Sequence, residues 1–154
     1  MQVRLRILRY DPERDPKPHW EEYTVESEPT APLLDLLHTV KWHQDGSLTF
    51  RRSCAHGVCG SDAMLINGRN RLACKLRVEQ LGKRKITVAP LPGLPVIKDL
   101  VPDMTMFYAQ LRSIEPWLKT DSPTPQKEWR QDKEDRDKLD GLYECILCAC
   151  CSTA

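Results

Sequence analysis

The sequence lacks an apolar run long enough to cross a bilayer, which takes about 20 residues. It also lacks the features of a signal peptide. The opening MQVRLRILRYDPERDP alternates charged with apolar residues and has no uninterrupted hydrophobic region. We therefore expect a soluble chain that meets a membrane only through a partner. Its 154 residues suit one sizeable domain or two small ones.

An excess of charge of either sign is also absent. The 23 basic and 22 acidic residues leave a net charge of +1, so we expect no general attraction for nucleic acid. Basic residues do cluster locally, in the segments RRSC and GKRK. For GKRK, residues 82–85, we expect nothing more than solvated surface.

Cysteine, in contrast, is abundant. An odd number of cysteines without a secretion signal argues against a disulfide scaffold. In a reducing cytoplasm, clustered cysteines are more typical of metal ligands or redox groups. The seven cysteines are Cys54, Cys59, Cys74, Cys145, Cys148, Cys150 and Cys151.

The first part of the chain alternates as strands do and then shows a helical period. VRLRILRY has Val3, Leu5 and Ile7 on one face and predicts a strand, and EEYTVES predicts a second strand that completes a hairpin. TAPLLDLLHTVKWHQDG predicts a helix, with Thr30 as its N-cap and Gly46 at its end.

The segments after this helix predict more strands. LTF predicts a short extended segment before the first cysteines. AMLI-NG-RNRLAC predicts a hairpin, because Asn67 and Gly68 both accept a positive φ. ITVAPL, residues 86–91, predicts a further strand. The order strand, strand, helix, cysteine loop, hairpin, strand is typical of a small α+β domain.

A proline-rich segment predicts the domain boundary. PLPGLP, residues 90–95, breaks regular structure, so we place one domain at residues 1–95 and a second at 96–154. The second domain starts with a predicted helix, followed by a polar, proline-containing linker and a charged helix. GLYECILCACCSTA then packs four cysteines into seven residues.

The first cysteine motif has the spacing of an iron–sulfur site. Cys54, Cys59 and Asp62 form C-x4-C-x2-D, with Cys74 later. The plant-type ferredoxin motif is C-x4-C-x2-C followed by a distant cysteine, whereas structural zinc sites usually pair cysteines across two residues. A carboxylate can ligate iron, so we favour Asp62 as the fourth ligand. The alternative is that Asp62 caps the turn and leaves three thiolates and a water.

Residues between these cysteines fit the same purpose. Gly57 and Gly60 let the loop fold tightly and let backbone N–H groups approach the sulfurs, and such hydrogen bonds help to set a reduction potential. His56 supplies half of a Rieske-like pattern, but Asp62 stands where the second histidine would be needed. We therefore expect His56 to be a loop residue near solvent.

The second motif is unfinished. Cys145, Cys148 and Cys151 form C-x2-C-x2-C, which wraps a [4Fe–4S] cluster in bacterial-type ferredoxins and continues x3-C-P. The continuing cysteine would fall one position beyond the end of this sequence, so we expect the chain to be a fragment. Using Cys150 as third ligand would give a less common spacing, so we expect it to be a small buried residue. A zinc site at Cys145 and Cys148 is the alternative.

Two stretches of the sequence resemble a known family. TFRRSCAHGVCGSDAMLINGRNRLAC and YECILCACCST are similar to the iron–sulfur subunit of succinate dehydrogenase, respiratory complex II. The resemblance implies a ferredoxin-like β-grasp domain followed by the start of an α-helical ferredoxin domain. It carries over Cys54, Cys59, Asp62 and Cys74 as [2Fe–2S] ligands and the C-x2-C-x2-C cysteines as [4Fe–4S] ligands. Aspartate at position 62 occurs in some bacterial members.

The resemblance also implies a role. Such a subunit passes electrons from the FAD of a flavoprotein subunit towards ubiquinone, and lies at the cytoplasmic face of the bacterial inner membrane through anchor subunits. It breaks no bond itself, so we expect no catalytic residue. The last [4Fe–4S] ligand and the [3Fe–4S] ligands would lie beyond residue 154. A fumarate reductase subunit, a structural zinc module and a free-standing ferredoxin are the alternatives.

Overall fold

The structure, a computed structural model, describes residues 1–82, 85–120 and 122–154. Lys83 and Arg84 of the GKRK segment lie outside the described residues, as does Asp121 of the linker. The described residues divide into two compact units. Unit 1 comprises Met1–Met104 with Leu147–Ala154, and unit 2 comprises Thr105–Ile146. The predicted domains 1–95 and 96–154 stay a prediction.

Unit 1 is built on a mixed sheet and one long helix. The strands of this sheet are β1 Gln2–Arg9, β2 His19–Glu26, β3 Ala63–Ile66, β4 Arg69–Leu72 and β5 Lys85–Ala89. Within the described residues their order is β2-β1-β5-β3-β4. Strand β1 pairs antiparallel with β2 and parallel with β5, and β3 pairs antiparallel with β4 and β5. The predicted α+β class and the β-grasp arrangement are confirmed.

The alternation of apolar and charged residues in β1 correctly predicts which face of the strand is buried. Val3, Leu5 and Ile7 are each 0% exposed. They form one core with the apolar face of helix α1, Leu33–His43. The predicted hairpin between β1 and β2 is confirmed, although β2 begins two residues earlier than EEYTVES.

The predicted N-cap of α1 is wrong. Pro32, not Thr30, occupies the N-cap position, with φ −70° and ψ 149°. The Leu33 N–H donates instead to the carbonyl of Leu76, at 2.8 Å. A helix leaves its first N–H groups without partners inside the helix, and here one of them is satisfied by a tertiary neighbour. The helix ends at His43, before the predicted Gly46.

The second hairpin matches its prediction closely. Asn67 has φ 49° and Gly68 has φ 77°, as the tight turn between β3 and β4 requires. The Asn67 Oδ1 also accepts a hydrogen bond from the Thr87 N–H, at 2.9 Å, which attaches the turn to β5. The LTF segment, residues 48–50, which is predicted to be extended, belongs to no regular element and lies in the loop before the first cysteines.

The remaining elements are short. In unit 1, β6 Val96–Lys98 pairs antiparallel with β7 Val101–Pro102. Unit 2 contains α2 Thr105–Ser113 and α3 Lys133–Asp137, which is the predicted charged helix. Several large apolar side chains of unit 2 are exposed: Met106, Ile114, Trp117, Leu118 and Leu142. No helix in the described part of the chain is long and apolar enough to span a membrane.

Candidate iron–sulfur site

The first cysteine motif lies on the loop between α1 and β3. Three residues of this loop have left-handed backbone conformations: Ala55 with φ 58°, Gly57 with φ 85° and Gly60 with φ 70°. Left-handed residues curl the chain, so that successive N–H groups can point into one concavity. At Gly57 an added Cβ would lie 2.5 Å from the Lys75 side chain. Glycine is therefore favoured at position 57, as predicted, for two reasons: the backbone φ is positive, and the Lys75 side chain lies too close for a Cβ.

Backbone N–H groups surround the Cys54 sulfur. The amides of His56, Val58 and Cys59 donate to Cys54 Sγ at 3.5, 3.4 and 3.3 Å. These bonds, the one from His56 first, lower the pKa of Cys54 to about 6. Hydrogen bonds to the charged form favour that form, and the thiolate is the form that binds metal.

Cys59 lies beside Cys54. Its Sγ is 3.5 Å from the Cys54 amide nitrogen and 3.2 Å from the Ser61 Oγ. Both thiols belong to the same loop, and the hydrogen bond between them contributes to the lowered pKa of Cys54.

Cys74 reaches this loop from the other side. It lies in the 3-10 turn Ala73–Lys75, directly after β4. Burial, then the Asp62 carboxylate, raise the pKa of the Cys74 thiol to about 12, while the Gly57 N–H acts in the opposite direction. The β3–β4 hairpin, with its Asn67-Gly68 turn, therefore brings Cys74 back to the cysteine loop, as the sequence predicts.

Asp62 is buried, with 2% of its surface exposed. Its Oδ2 accepts a hydrogen bond from the Cys74 N–H at 2.5 Å, and its backbone carbonyl accepts one from the Ala73 N–H at 3.1 Å. Asp62 therefore organises the turn that carries Cys74. A carboxylate offers two oxygens, so this contact and a bond to iron do not exclude each other, and ligation by Asp62 stays a prediction.

The donor set fits a [2Fe–2S] cluster. Three thiols and one carboxylate lie around a single loop whose N–H groups already point at sulfur, which is the chemistry that such clusters use. Within the described ranges, no three histidine, cysteine, aspartate or glutamate side chains form a group that could hold one metal ion, so the four donors would have to be shared between the two irons of the cluster. His56 is exposed, as predicted, and its Nδ1 lies 2.7 Å from the Cys54 carbonyl.

The second motif contains a backbone feature that sequence reasoning missed. Leu147 and Ala149 have φ 56° and 62°, conformations that side chains with a Cβ rarely adopt. Cys148 and Cys151 lie in unit 1, and Cys145 lies in unit 2. The grouping of these three thiols into one ligand set stays a prediction. Cys150 is half-buried rather than fully buried.

Sequence reasoning also missed Asn70. Its Nδ2 donates to the Cys150 carbonyl at 3.1 Å and to the Thr153 Oγ1 at 3.0 Å. An asparagine beside an Asn-Gly turn gives no hint of a partner 80 residues further along the chain.

A family model described as a 2Fe-2S iron-sulfur cluster binding domain matches residues 4–109. The chain belongs to this family. Within it, this chain is 52% identical over 98% of its length to the succinate dehydrogenase iron-sulfur subunit of Paracoccus denitrificans. It is 51% identical over 97% of its length to the mitochondrial succinate dehydrogenase [ubiquinone] iron-sulfur subunit of Candida glabrata. The resemblance to such subunits is confirmed.

A solved structure gives the same result for the fold. The Mycobacterium smegmatis Sdh1 complex in the apo form contains a chain that matches 99% of this one, with a TM-score of 0.87 and 33% identity. The present chain spans 58% and 60% of the two curated relatives and 62% of that structure's chain. These matches confirm the ferredoxin-like fold and do not favour a zinc module.

Proposed function

We propose that this chain is the iron–sulfur electron-transfer part of a succinate dehydrogenase, which passes electrons from the FAD of a flavoprotein subunit towards ubiquinone. The observation that carries the proposal is the convergence of the Cys54, Cys59 and Cys74 thiols on one loop lined with N–H groups. The relatives that share this chain's sequence are named as succinate dehydrogenase subunits.

In this proposal Cys54, Cys59, Asp62 and Cys74 hold a [2Fe–2S] cluster. The cluster, when bound, accepts and releases one electron at a time. The chain's own residues fix the conditions for that exchange. The N–H groups directed at Cys54 Sγ stabilise negative charge on sulfur, which favours the reduced state. Asp62 holds the Cys74 turn in place through its 2.5 Å bond.

The second motif would serve a second cluster. We propose that Cys145, Cys148 and Cys151 contribute to a [4Fe–4S] cluster, and that a [3Fe–4S] cluster belongs to further parts of the full-length protein. The left-handed residues Leu147 and Ala149 support this reading, because they curl the motif as Ala55 and Gly57 curl the first one. The division into domains 1–95 and 96–154 belongs to the same proposal.

The proposed partners are a flavoprotein subunit and membrane-anchor subunits, at the cytoplasmic face of a bacterial inner membrane. Exposed apolar side chains in unit 2, such as Trp117 and Leu118, support protein partners, since large apolar surfaces in soluble units mark interaction sites. The name of the Candida glabrata relative includes ubiquinone, which supports that acceptor. The near-zero net charge gives no support for a nucleic-acid partner.

Anaerobic purification tests the proposal. We expect a brown protein that contains iron and acid-labile sulfide and gives a rhombic electron paramagnetic resonance signal after reduction. Cys54→Ser and Cys59→Ser variants should lose this signal. A colourless, folded, iron-free wild-type chain would contradict the proposal, and zinc without sulfide would support the zinc module. Co-purification with a flavoprotein separates the proposed subunit from a free-standing ferredoxin.

A further inference from the structure

The hydrogen bonds of Asn70 join the two cysteine motifs. Asn70 lies on β4, the edge strand of the sheet, and β4 runs directly into the turn that carries Cys74. Its Nδ2 donates to the Cys150 carbonyl and the Thr153 Oγ1, at 3.1 and 3.0 Å. One side chain of the first motif's hairpin is thus attached to the backbone of the second motif.

The orientation of the Asn70 amide is fixed by its partners. A carbonyl oxygen can only accept a hydrogen bond, and the Thr153 hydroxyl already donates to the Ala149 carbonyl at 2.9 Å. Both partners therefore need a donor, so the amide nitrogen must face them. This orientation leaves Asn70 Oδ1 buried and without a donor among the described residues. A buried acceptor without a partner costs free energy. The two hydrogen bonds that Nδ2 donates offset this cost, and they explain why asparagine suits this position.

The attached segment needs such a contact. Leu147 and Ala149 hold left-handed conformations without glycine, and strained backbone persists only where its surroundings determine it. Inside the segment, the Thr153 N–H donates to the Ala149 carbonyl at 3.2 Å. The bonds from Asn70 hold this turn at two points, the Cys150 carbonyl directly after Ala149 and the Thr153 side chain.

We propose that Asn70 is a positioning residue, which holds the segment Leu147–Ala154 against β4 and so fixes how far the Cys148 and Cys151 thiols lie from the first cluster site. The first half of the proposal concerns the polypeptide alone, and the second half rests on the proposed function. A carrier that passes electrons between two clusters needs a constant separation between them, and two hydrogen bonds from the β3–β4 hairpin supply it.

Hydrogen–deuterium exchange tests the first half on the iron-free chain. We expect Asn70→Leu, which keeps the size but removes the donors, to speed exchange in peptides covering residues 147–154 by roughly tenfold, the factor for one to two net hydrogen bonds. Thr153→Val should do the same from the other side of the contact. Arg69→Ala, an exposed neighbour on β4, is the matched control and should change nothing. Unchanged protection in both test variants overturns the proposal.

Electron paramagnetic resonance tests the second half on the holoprotein purified anaerobically. In the fully reduced wild type, a second paramagnetic cluster should broaden the [2Fe–2S] signal and speed its relaxation. Asn70→Leu should weaken this interaction with the iron content unchanged, whereas Arg69→Ala should preserve it. Faster exchange with an unaltered magnetic interaction would support the first half, but it would make Asn70 merely structural and overturn the second half. A wild type without iron would contradict the proposed function and this second half, while the exchange experiment would still decide the first.

Discussion

Arg9 and Asp99 are 90 residues apart in the sequence and form a buried ion pair, with Arg9 Nε 2.9 Å from Asp99 Oδ1. Their side chains are 8% and 2% exposed. Asp99 also accepts hydrogen bonds from the amides of Tyr10 and Thr49, at 3.0 and 2.8 Å. The pair therefore connects the end of β1 with the segment that leads into the cysteine loop.

Breaking this pair should destabilise unit 1 strongly. In Arg9→Met the Asp99 carboxylate keeps its two amide donors but loses its counter-charge, and removing one partner of a buried pair typically costs about 3–5 kcal/mol. The same change removes the ion pairs that Arg9 forms with Asp45 and Glu21. We expect a loss of about 3 kcal/mol in the free energy of unfolding, measured by urea denaturation of the iron-free chain. Arg4→Met, on the exposed face of the same strand, should cost less than about 0.5 kcal/mol. Equal losses in the two variants would refute this account.

Asp45 should make stability depend on acid pH. Burial alone would raise its pKa, but hydrogen bonds from Ser47, Arg9 and Tyr23 outweigh burial and hold that pKa well below its usual range. A carboxyl group with a lowered folded-state pKa contributes its full stabilisation above the unfolded pKa of about 3.9 and loses it as pH falls towards the folded value.

The measurement compares wild type with Asp45→Asn at several pH values. The difference in unfolding free energy should be constant from about pH 7 to about pH 5 and should shrink below about pH 4, because only the wild type has this carboxyl group to protonate. A difference that stays constant down to pH 3 would show that Asp45 titrates normally.

Gly57 and Gly68 offer a matched pair of alanine substitutions. Both have positive φ, but an added Cβ meets the Lys75 side chain only at Gly57, and has nothing within 4 Å at Gly68. Gly68→Ala should therefore cost only the left-handed strain of about 1–2 kcal/mol. Gly57→Ala adds the displacement of Lys75, next to Cys74, and should lower bound iron and sulfide per chain. Equal iron content in the two variants would mean that the Lys75 contact does not shape the site.

Local patterns predicted the strands and the first motif, because a period of two in β1 and the spacing of thiols are properties of short segments. Contacts between distant segments were not predictable in this way. Leu33 finds its helix-capping partner in the Leu76 carbonyl, and Asn70 finds its partners in the second motif. One signal was present: Arg9 continues the inward face of Val3, Leu5 and Ile7, and a charge on an inward face needs a buried partner.

Cys150 and Cys151 can be separated by serine substitution. The spacing favours Cys151 as the ligand and leaves Cys150 spare, and the structure holds the Cys150 backbone rather than its thiol through Asn70. We expect Cys151→Ser to lose the iron of the second cluster in the holoprotein, and Cys150→Ser to retain it. Iron analysis with electron paramagnetic resonance of each cluster checks this, and the opposite pattern would exchange the roles of the two residues.

Asp62 has two candidate roles, which its variants can distinguish. If it ligates iron, Asp62→Cys should retain the [2Fe–2S] cluster with a more negative potential, because a thiolate donates more charge than a carboxylate, and Asp62→Asn should retain less iron. If it only holds the Cys74 turn, Asp62→Asn should behave as wild type, since an amide oxygen can still accept the bond that Oδ2 now accepts. Redox titration followed by electron paramagnetic resonance measures the potential. An unshifted potential and spectrum in Asp62→Cys would place residue 62 outside the ligand set, because a new thiolate on iron cannot leave both unchanged.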